Sequence, residues 1–444
     1  MELTEIIAQF ITDTKDDDIP QQVYDHAKVC FLDWLGVTIA GKDESLVHKL
    51  IAYTDIMGGH EQAFIIGHNI KKSVEQAALI NGAASHALDY DDTLFATLGH
   101  PSVTLFSSIL ALSEWKEKSG SDFLTAYIIG LKAASCIGLC SGMEHYKEGW
   151  HGTSTIGHFA SAAACARLLK LSKKQAQYAL GIAGTQSSGL KAVFGTMCKP
   201  FHAGKSSMAG LMAALLAGND FTSAEDIFEG KHGFFQLFKG KKNDDVVATL
   251  GKSWEIENIA QKYHASCHAT HSPIEAVLNT IIKEKINPDT IQSITIHCSE
   301  IALDAAGKMK PATGLEGKFS ISYCVANAIL RDNTGLQAFT DKKVNAPEIK
   351  ELIKKITIIP KKDMAETAAR IEIKTETGKT YSGHGDIMKE VPPYEVKKKK
   401  IAAKFMDLVA PLIGEKNTAD LISMILSLDT EKSLSGMIDL INTK

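Results

Sequence analysis

What this 444-residue sequence lacks narrows it first. It has no excess of basic charge: 48 lysines and arginines face 52 aspartates and glutamates, a formal net charge of −4 with histidine neutral. A chain so balanced offers no electrostatic footprint for nucleic acid. Its one basic run, KKKK at 397–400, follows Pro392 and Pro393 and reads as a solvated linker or helix start. No apolar run approaches the roughly 20 residues that a membrane span needs. The N-terminal MELTEIIAQFITDTKDDD has neither the basic start nor the unbroken apolar stretch of a signal peptide. Its apolar residues Leu3, Ile6, Ile7, Phe10 and Ile11 recur at helical spacing instead. The eight cysteines are scattered without framework spacing, which argues against a disulfide scaffold and for reduced, mostly buried thiols. There is no internal repeat and no low-complexity segment. These absences predict a cytoplasmic globular protein, and its length predicts two or three domains.

What is present is mostly helical. Up to about residue 265, segments such as 20–40, 73–89, 102–118, 121–141, 154–170, 173–190 and 205–217 carry apolar residues at i, i+3, i+4 and i+7. Several, including IGHFASAAACARLL and SSMAGLMAALLAG, are almost uncharged and rich in small residues. Helices without a polar face belong inside a bundle, and small side chains let them approach closely. After about 270 the texture changes. IQSITIHC (291–298), ITIIP (356–360) and ARIEIKTETGKTYSG (369–383) alternate as strands do, whereas KFSISYCVANAILRD (318–332) is again helical. The expected architecture is mainly α: a large all-α domain over 1–267, a smaller α+β domain over 268–395, and helices over 396–444 returning to the first domain.

Four stretches carry chemistry. HALDYDDTLFATLGHPSV (86–103) sets Asp89, Asp91, Asp92 and Thr93 between two histidines. Crowded carboxylates raise one another's pKa, so such a loop needs donors or cations nearby. The residues alone also fit an acidic helix end running into a solvated loop. GWHGTST (149–155) places His151 between Trp150 and Gly152 ahead of a helix start, either as a turn opening on a pocket or as a capping loop. GTMCKPFHAGKSSMAG (195–210) brings Lys199, His202 and Lys205 to the entry of an apolar helix, where free N–H groups and cations favour an anion. It lacks the GxxxxGK[ST] spacing of a P-loop. KYHASCHATH (262–271) holds His264, His268 and His271 at i, i+4 and i, i+3 intervals, which on one helix would share a face. Zinc uses such spacing, but no glutamate falls within the repeat and Glu275 lies beyond it. No metal is expected.

In this order and at these separations, HALDYDDT…HPSV, GWHGTST, KPFHAGKSSMAG and KYHASCHATHSPIEA resemble the MmgE/PrpD family, which includes 2-methylcitrate dehydratase, cis-aconitate decarboxylase and iminodisuccinate epimerase. The resemblance covers essentially the whole chain. It implies a homodimer, a helical domain with a smaller lid, a small carboxylate substrate and no metal or organic cofactor. Carried over residue by residue, the decarboxylase pattern matches Asp89 and Thr93 of DYDDT, His100 of the Gly-His-Pro turn, His151 of GWHG, Lys199 of KPFH, Lys262 of KYHASC and Tyr323 of FSISYCVA. The stretch TLFATLGH is one residue longer here than in the pattern, and the segment ahead of Tyr323 differs in length. His202, Lys205, His264 and His268 are the expected substrate contacts.

Such a substrate calls for cations to hold carboxylates and an acid near neutral pH, a role an imidazolium fills. On this reading His100 is the acid, Asp89 keeps it protonated, and the lysines and His151 bind carboxylates, with Tyr323 closing the site. Dehydration or epimerisation would need the same groups, and so, without turnover, would a carboxylate-binding protein.

Overall fold

In the computed structural model, which describes residues 1–331, 333–365 and 367–442, the chain parts at Gln261/Lys262 and again at Pro393/Tyr394. One unit is Met1–Gln261 with the chain from Tyr394 onward, and the other is Lys262–Pro393. Both divisions fall slightly earlier than the change of sequence texture. The protein is mainly α with a smaller α+β portion.

The long helices of the first unit are α1 (Leu3–Asp13), α2 (Gln21–Gly41), α3 (Ser45–Met57), α4 (Val74–Ala87), α5 (Pro101–Trp115), α6 (Gly120–Lys147), α7 (Gly152–Leu168), α8 (Lys173–Gln186) and α9 (Cys198–Gly218). A short hairpin of β1 (Ala63–Ile65) and β2 (Ile70–Lys72) precedes α4. Helices α4, α5, α7 and α9 pack on one another at the centre. Their small residues set how close they come. A Cβ on Gly82 of α4 would lie 2.7 Å from the Cα of Gly204 in α9, and one on Gly204 would lie 2.1 Å from the Leu79 carbonyl oxygen. Neither helix can hold a larger side chain at that crossing without separating from the other. This contact matters for the site, because α4 ends on His86 and α9 begins with Lys199 and His202.

Helix α6 corrects one expectation. By length and composition it could cross a membrane, but 94% of its apolar window is buried inside the protein. Its apolar surface is spent on the core of the bundle, and a non-helical Gly142 (φ 70°) interrupts it near its end.

In the second unit, β3 (Ile291–Cys298) lies between a parallel β4 (Ile356–Pro360) and an antiparallel β5 (Ala368–Thr375), with β6 (Thr380–Asp386) outside β5. Ile371 and Ile373 of β5 point inward while Arg370, Glu372 and Lys374 point out, the period-two alternation of a sheet covered on one face. The covering helices are α10 (His271–Glu284), α11 (Ile321–Arg331) and α12 (Pro347–Lys354), which share a core with Ile294, Ile296 and Ile371.

The chain then returns to the first unit through α13 (Tyr394–Ile413), α14 (Glu415–Leu426) and α15 (Ser435–Asn442), with α13 packed on α2. The KKKK run lies in α13, and its first residue is not solvated. Lys397 is buried and donates to the carbonyls of Glu257 (3.2 Å) and Ile259 (3.0 Å). Two turns on, buried Lys404 reaches Asp33 at 2.6 Å and the carbonyl of Tyr90 at 2.7 Å. A buried ammonium is tolerable only with such partners. Lys404 thereby ties α13 to the acidic loop that follows α4.

Candidate active site

The acidic loop leaves α4 directly after His86. Asp89 takes a left-handed conformation (φ 53°), which turns the chain sharply and separates the directions of the three aspartates. Thr93 then pairs through its main chain with Ala260, its N–H reaching the Ala260 carbonyl at 3.0 Å and the return bond measuring 2.9 Å. The loop closes on Gly99, and His100 stands immediately ahead of α5 with Pro101 in its first turn. His151 stands in the same position ahead of α7, its N–H bonded to the Gly189 carbonyl at 3.0 Å. Two glycines lock these histidines together. A Cβ on Gly152 would lie 2.2 Å from the Leu98 carbonyl oxygen, and one on Gly99 would lie 2.5 Å from the Thr153 nitrogen. Thr153 Oγ1 also accepts the His100 N–H at 3.1 Å.

The side chains converge as follows. Asp91 is fully buried and sits between two imidazoles: His86 Nδ1 lies 3.0 and 2.9 Å from its two oxygens, and His100 Nδ1 lies 2.9 Å from Oδ2. Burial pushes the Asp91 carboxyl up, but the two histidines outweigh it and hold the group well below the usual carboxylate range. Asp89 points elsewhere and pairs with Lys199 Nζ at 2.7 Å. This corrects the expectation that Asp89 holds His100: the carboxylate against His100 is Asp91. The third aspartate, Asp92, accepts from Ser102 Oγ and is pushed up to about 8 by burial, so it is a carboxylic acid at neutral pH.

A second imidazole pair lies beside the first. His151 Nδ1 and His202 Nδ1 are 3.0 Å apart, and the His151 ring stacks near-parallel to His86 at 6.2 Å. Burial, and then the fields of His86, Lys199 and the other histidines, hold His151 well below its ordinary pKa; burial and His86 lower that of His202. Both are therefore neutral near pH 7, and a 3.0 Å contact requires that only one of the two Nδ1 atoms carry the proton. Phe194 packs edge-on against His151 at 4.8 Å and lies 5.6 Å under Lys199 Nζ, screening both from water on that side. Lys205 departs from expectation. It is half buried, and burial lowers its pKa against the opposing field of Glu75 on α4.

The lower-numbered part of the second unit was expected to be one helix face and is not. Residues 262–267 are irregular, a 3₁₀ turn covers His268–Thr270, and α10 starts at His271. Lys262 is buried. His264 uses Nδ1 on Thr334 Oγ1 at 2.7 Å and Nε2 towards Glu275 at 3.2 Å, so the glutamate beyond the repeat in sequence does reach a histidine. The His271 ring lies 4.8 Å from that of His264 and 4.7 Å from that of His268, and burial, with those neighbours, holds His271 well below its ordinary pKa.

Tyr323 differs from expectation more sharply. It is fully buried in the core under the sheet, packs on Phe339 at 5.7 Å, and donates its hydroxyl to the Ala338 carbonyl. Such a phenol is a structural group of α11. Tyr323→Phe is expected to lower stability by about 0.5–1.5 kcal/mol, one net hydrogen bond, and to leave turnover within about twofold. Thermal unfolding beside steady-state kinetics reads both, and a large loss of kcat with unchanged stability would return the tyrosine to the chemistry.

The MmgE/PrpD N-terminal domain family matches residues 5–246, and the MmgE/PrpD C-terminal domain family matches residues 264–430. The chain belongs to the MmgE/PrpD family. A cis-aconitate decarboxylase-like protein of Aspergillus oryzae is 27% identical, covering 99% of this chain and 97% of that protein. A cis-aconitate decarboxylase of Aspergillus terreus is 26% identical over 99% of this chain and 96% of its own length. One from Mus musculus is 26% identical over 80% of this chain and 75% of its own. In this MmgE/PrpD chain the convergent groups, Asp89 to His202, all lie in the N-terminal family domain. Lys262 stands between the two matched ranges.

Among the described residues, His86, Asp89, Asp91 and His100 place donor atoms within 4.8 Å of one another, the spacing of ion ligands. Both Asp91 oxygens are engaged by imidazole Nδ1 atoms and Asp89 faces an ammonium, so a metal would have to break each of those contacts. His86 and Asp91 are the site residues that sequence reasoning left out of its selection. Their signal was present, as a histidine and an aspartate five apart at the end of a helix. Spacing alone does not say which of three aspartates turns back.

Proposed function

We propose that this protein is a metal-independent carboxy-lyase that converts cis-aconitate into itaconate and CO₂. The observation that carries the reading is the contact of ionised Asp91 with His100 Nδ1 at 2.9 Å, beside the Lys199 ammonium. A carboxylate on Nδ1 favours imidazolium and leaves Nε2–H to act as the acid. Among the site's acid–base side chains His100 also keeps some exposure, 13% of its side chain, as a group that meets substrate must. The names of the relatives favour decarboxylation among the reactions such a site can run.

In the proposed reaction the bond from the CH₂ carbon to its carboxylate breaks and CO₂ leaves. The electron pair moves into a new double bond, the original double bond shifts onto the vinyl carbon, and His100 Nε2–H protonates that carbon. One proton is taken up per turnover. Lys199 neutralises a retained carboxylate as charge builds. Of the neutral pair His151 and His202, the ring that accepts at Nδ1 carries its proton on Nε2 and can donate it to a carboxylate oxygen without adding charge. The protein is further proposed to work as a homodimer.

The family also contains a dehydratase and an epimerase, and the same acid and carboxylate partners would serve either. The deciding experiment incubates EDTA-dialysed protein with cis-aconitate, 2-methylcitrate and iminodisuccinate and follows the products by NMR. Itaconate from cis-aconitate, at a rate unchanged by EDTA, is expected. A dehydrated or epimerised product without itaconate would replace the substrate assignment. Activity lost with EDTA and restored by a metal would overturn metal independence.

A further inference from the structure

We propose that Asp91 is the positioning residue of this site and that it fixes the ring orientation and tautomer of both His86 and His100. The inference rests on the functional reading above for its kinetic consequences, but its geometry does not depend on the substrate. Asp91 is 1% exposed, at the centre of the unit, and its two oxygens meet Nδ1 of both rings at 2.9–3.0 Å. A carboxylate only accepts, so each ring must carry its proton on Nδ1. That fixes both tautomers at once and directs both Nε2 atoms away from Asp91. The ring centroids of His86 and His100 are 4.5 Å apart. Two rings so close share one buried carboxylate, so a change at Asp91 disturbs the orientation of both.

Other charged and titratable groups flank the pair. His151 lies against His86 from α7, His202 lies behind His151, and Lys199 with Asp89 lies at the start of α9. His86 adds a second geometric observation. Its Nε2 is buried and has no hydrogen-bond partner among the described residues, while its Nδ1 is held. A histidine serving only to fill space needs no carboxylate on one side and an unused base on the other. When His100 gives its Nε2 proton to carbon it keeps its Nδ1–H on Asp91, and one proton from solvent restores Nε2–H before the next turnover, so no bond to Asp91 forms or breaks.

The experiment compares Asp91→Asn with wild type on the product-forming substrate, whichever that proves to be. Asparagine keeps the shape but can accept from only one ring while donating to the other, so one histidine must change tautomer. kcat is expected to fall about 10²–10⁴-fold with KM within about threefold, as when an aspartate orienting a catalytic histidine is amidated. The limb of the pH–kcat profile that reports loss of imidazolium should move to lower pH, because the ion that favoured the charged ring has gone. A space-filling role would lower stability and the active fraction without moving that profile. If Asp91→Asn does not fold, ¹⁵N-histidine NMR of wild type, assigned with His86→Gln and His100→Gln, reads the tautomers directly and needs no substrate. Two Nδ1-protonated rings with downfield Nδ1–H signals are expected. Nε2-protonated neutral rings, or an Asp91→Asn enzyme with near-normal kcat and an unmoved pH profile, would overturn the proposal. A wild type that makes no itaconate yet shows both Nδ1–H signals would overturn only the substrate assignment.

Discussion

Replacing His100 by alanine is expected to remove nearly all itaconate formation while cis-aconitate still binds within about tenfold, or 1.4 kcal/mol, of wild type. A positioned general acid contributes about 10²–10⁴ in rate. His100 also touches Asp91, so the variant leaves His86 as sole partner of a buried carboxylate. That contact keeps a hydrogen-bond donor on the carboxylate, so folding should survive. The measurement is CO₂ release with NMR quantitation of itaconate, and calorimetric binding of cis-aconitate to the inactive variant. Near-normal turnover would show that another group supplies the proton. The first candidate would then be His86, whose Nε2 is buried and uncommitted.

Lys199→Ala should fail differently. Lys199 and Asp89 each keep about a fifth of their side-chain surface, and their 2.7 Å contact is the cation–carboxylate pair nearest the histidines. Removing the lysine deletes a partner for the substrate carboxylate and leaves Asp89 to repel it. Truncating one member of such a hydrogen-bonded charge pair costs about 2–5 kcal/mol where it is well desolvated. Exposure here argues for the lower end, a loss of about 10²-fold in kcat/KM carried mainly by KM. The double variant Asp89→Asn, Lys199→Ala should bind better than Lys199→Ala alone, since the repulsion goes with the charge. Steady-state kinetics on the three variants decide it. A Lys199→Ala enzyme with KM within threefold of wild type would mean that the ammonium serves only Asp89.

Much of this protein was legible in order along the chain. Apolar residues at helical spacing forecast α4 to α9, and the alternation of 291–298 and 369–375 forecast β3 and β5, because those patterns follow from local backbone geometry. The blocks around His100, His151 and Lys199 stood out for their residue types, and the helical unit brings them together with Asp89 and His202. The partnerships among them were not legible. Asp89 and Asp91 are two residues apart in one acidic run, yet a left-handed turn at Asp89 sends one carboxylate to Lys199 and the other to two histidines. The same holds for Lys397, first in a run of four lysines but buried on two carbonyls, and for Tyr323, whose apolar surroundings come from strands far away in sequence. KYHASCHATH kept helical spacing without forming the helix, because Ala265 and Cys267 donate their N–H groups to the carbonyls of Thr334 and Lys318 rather than to carbonyls four residues back. Local pattern reports what a segment can form with its neighbours. Which carboxylate meets which imidazole is decided by contacts between residues tens to hundreds of positions apart, and only the packed tertiary structure sets those.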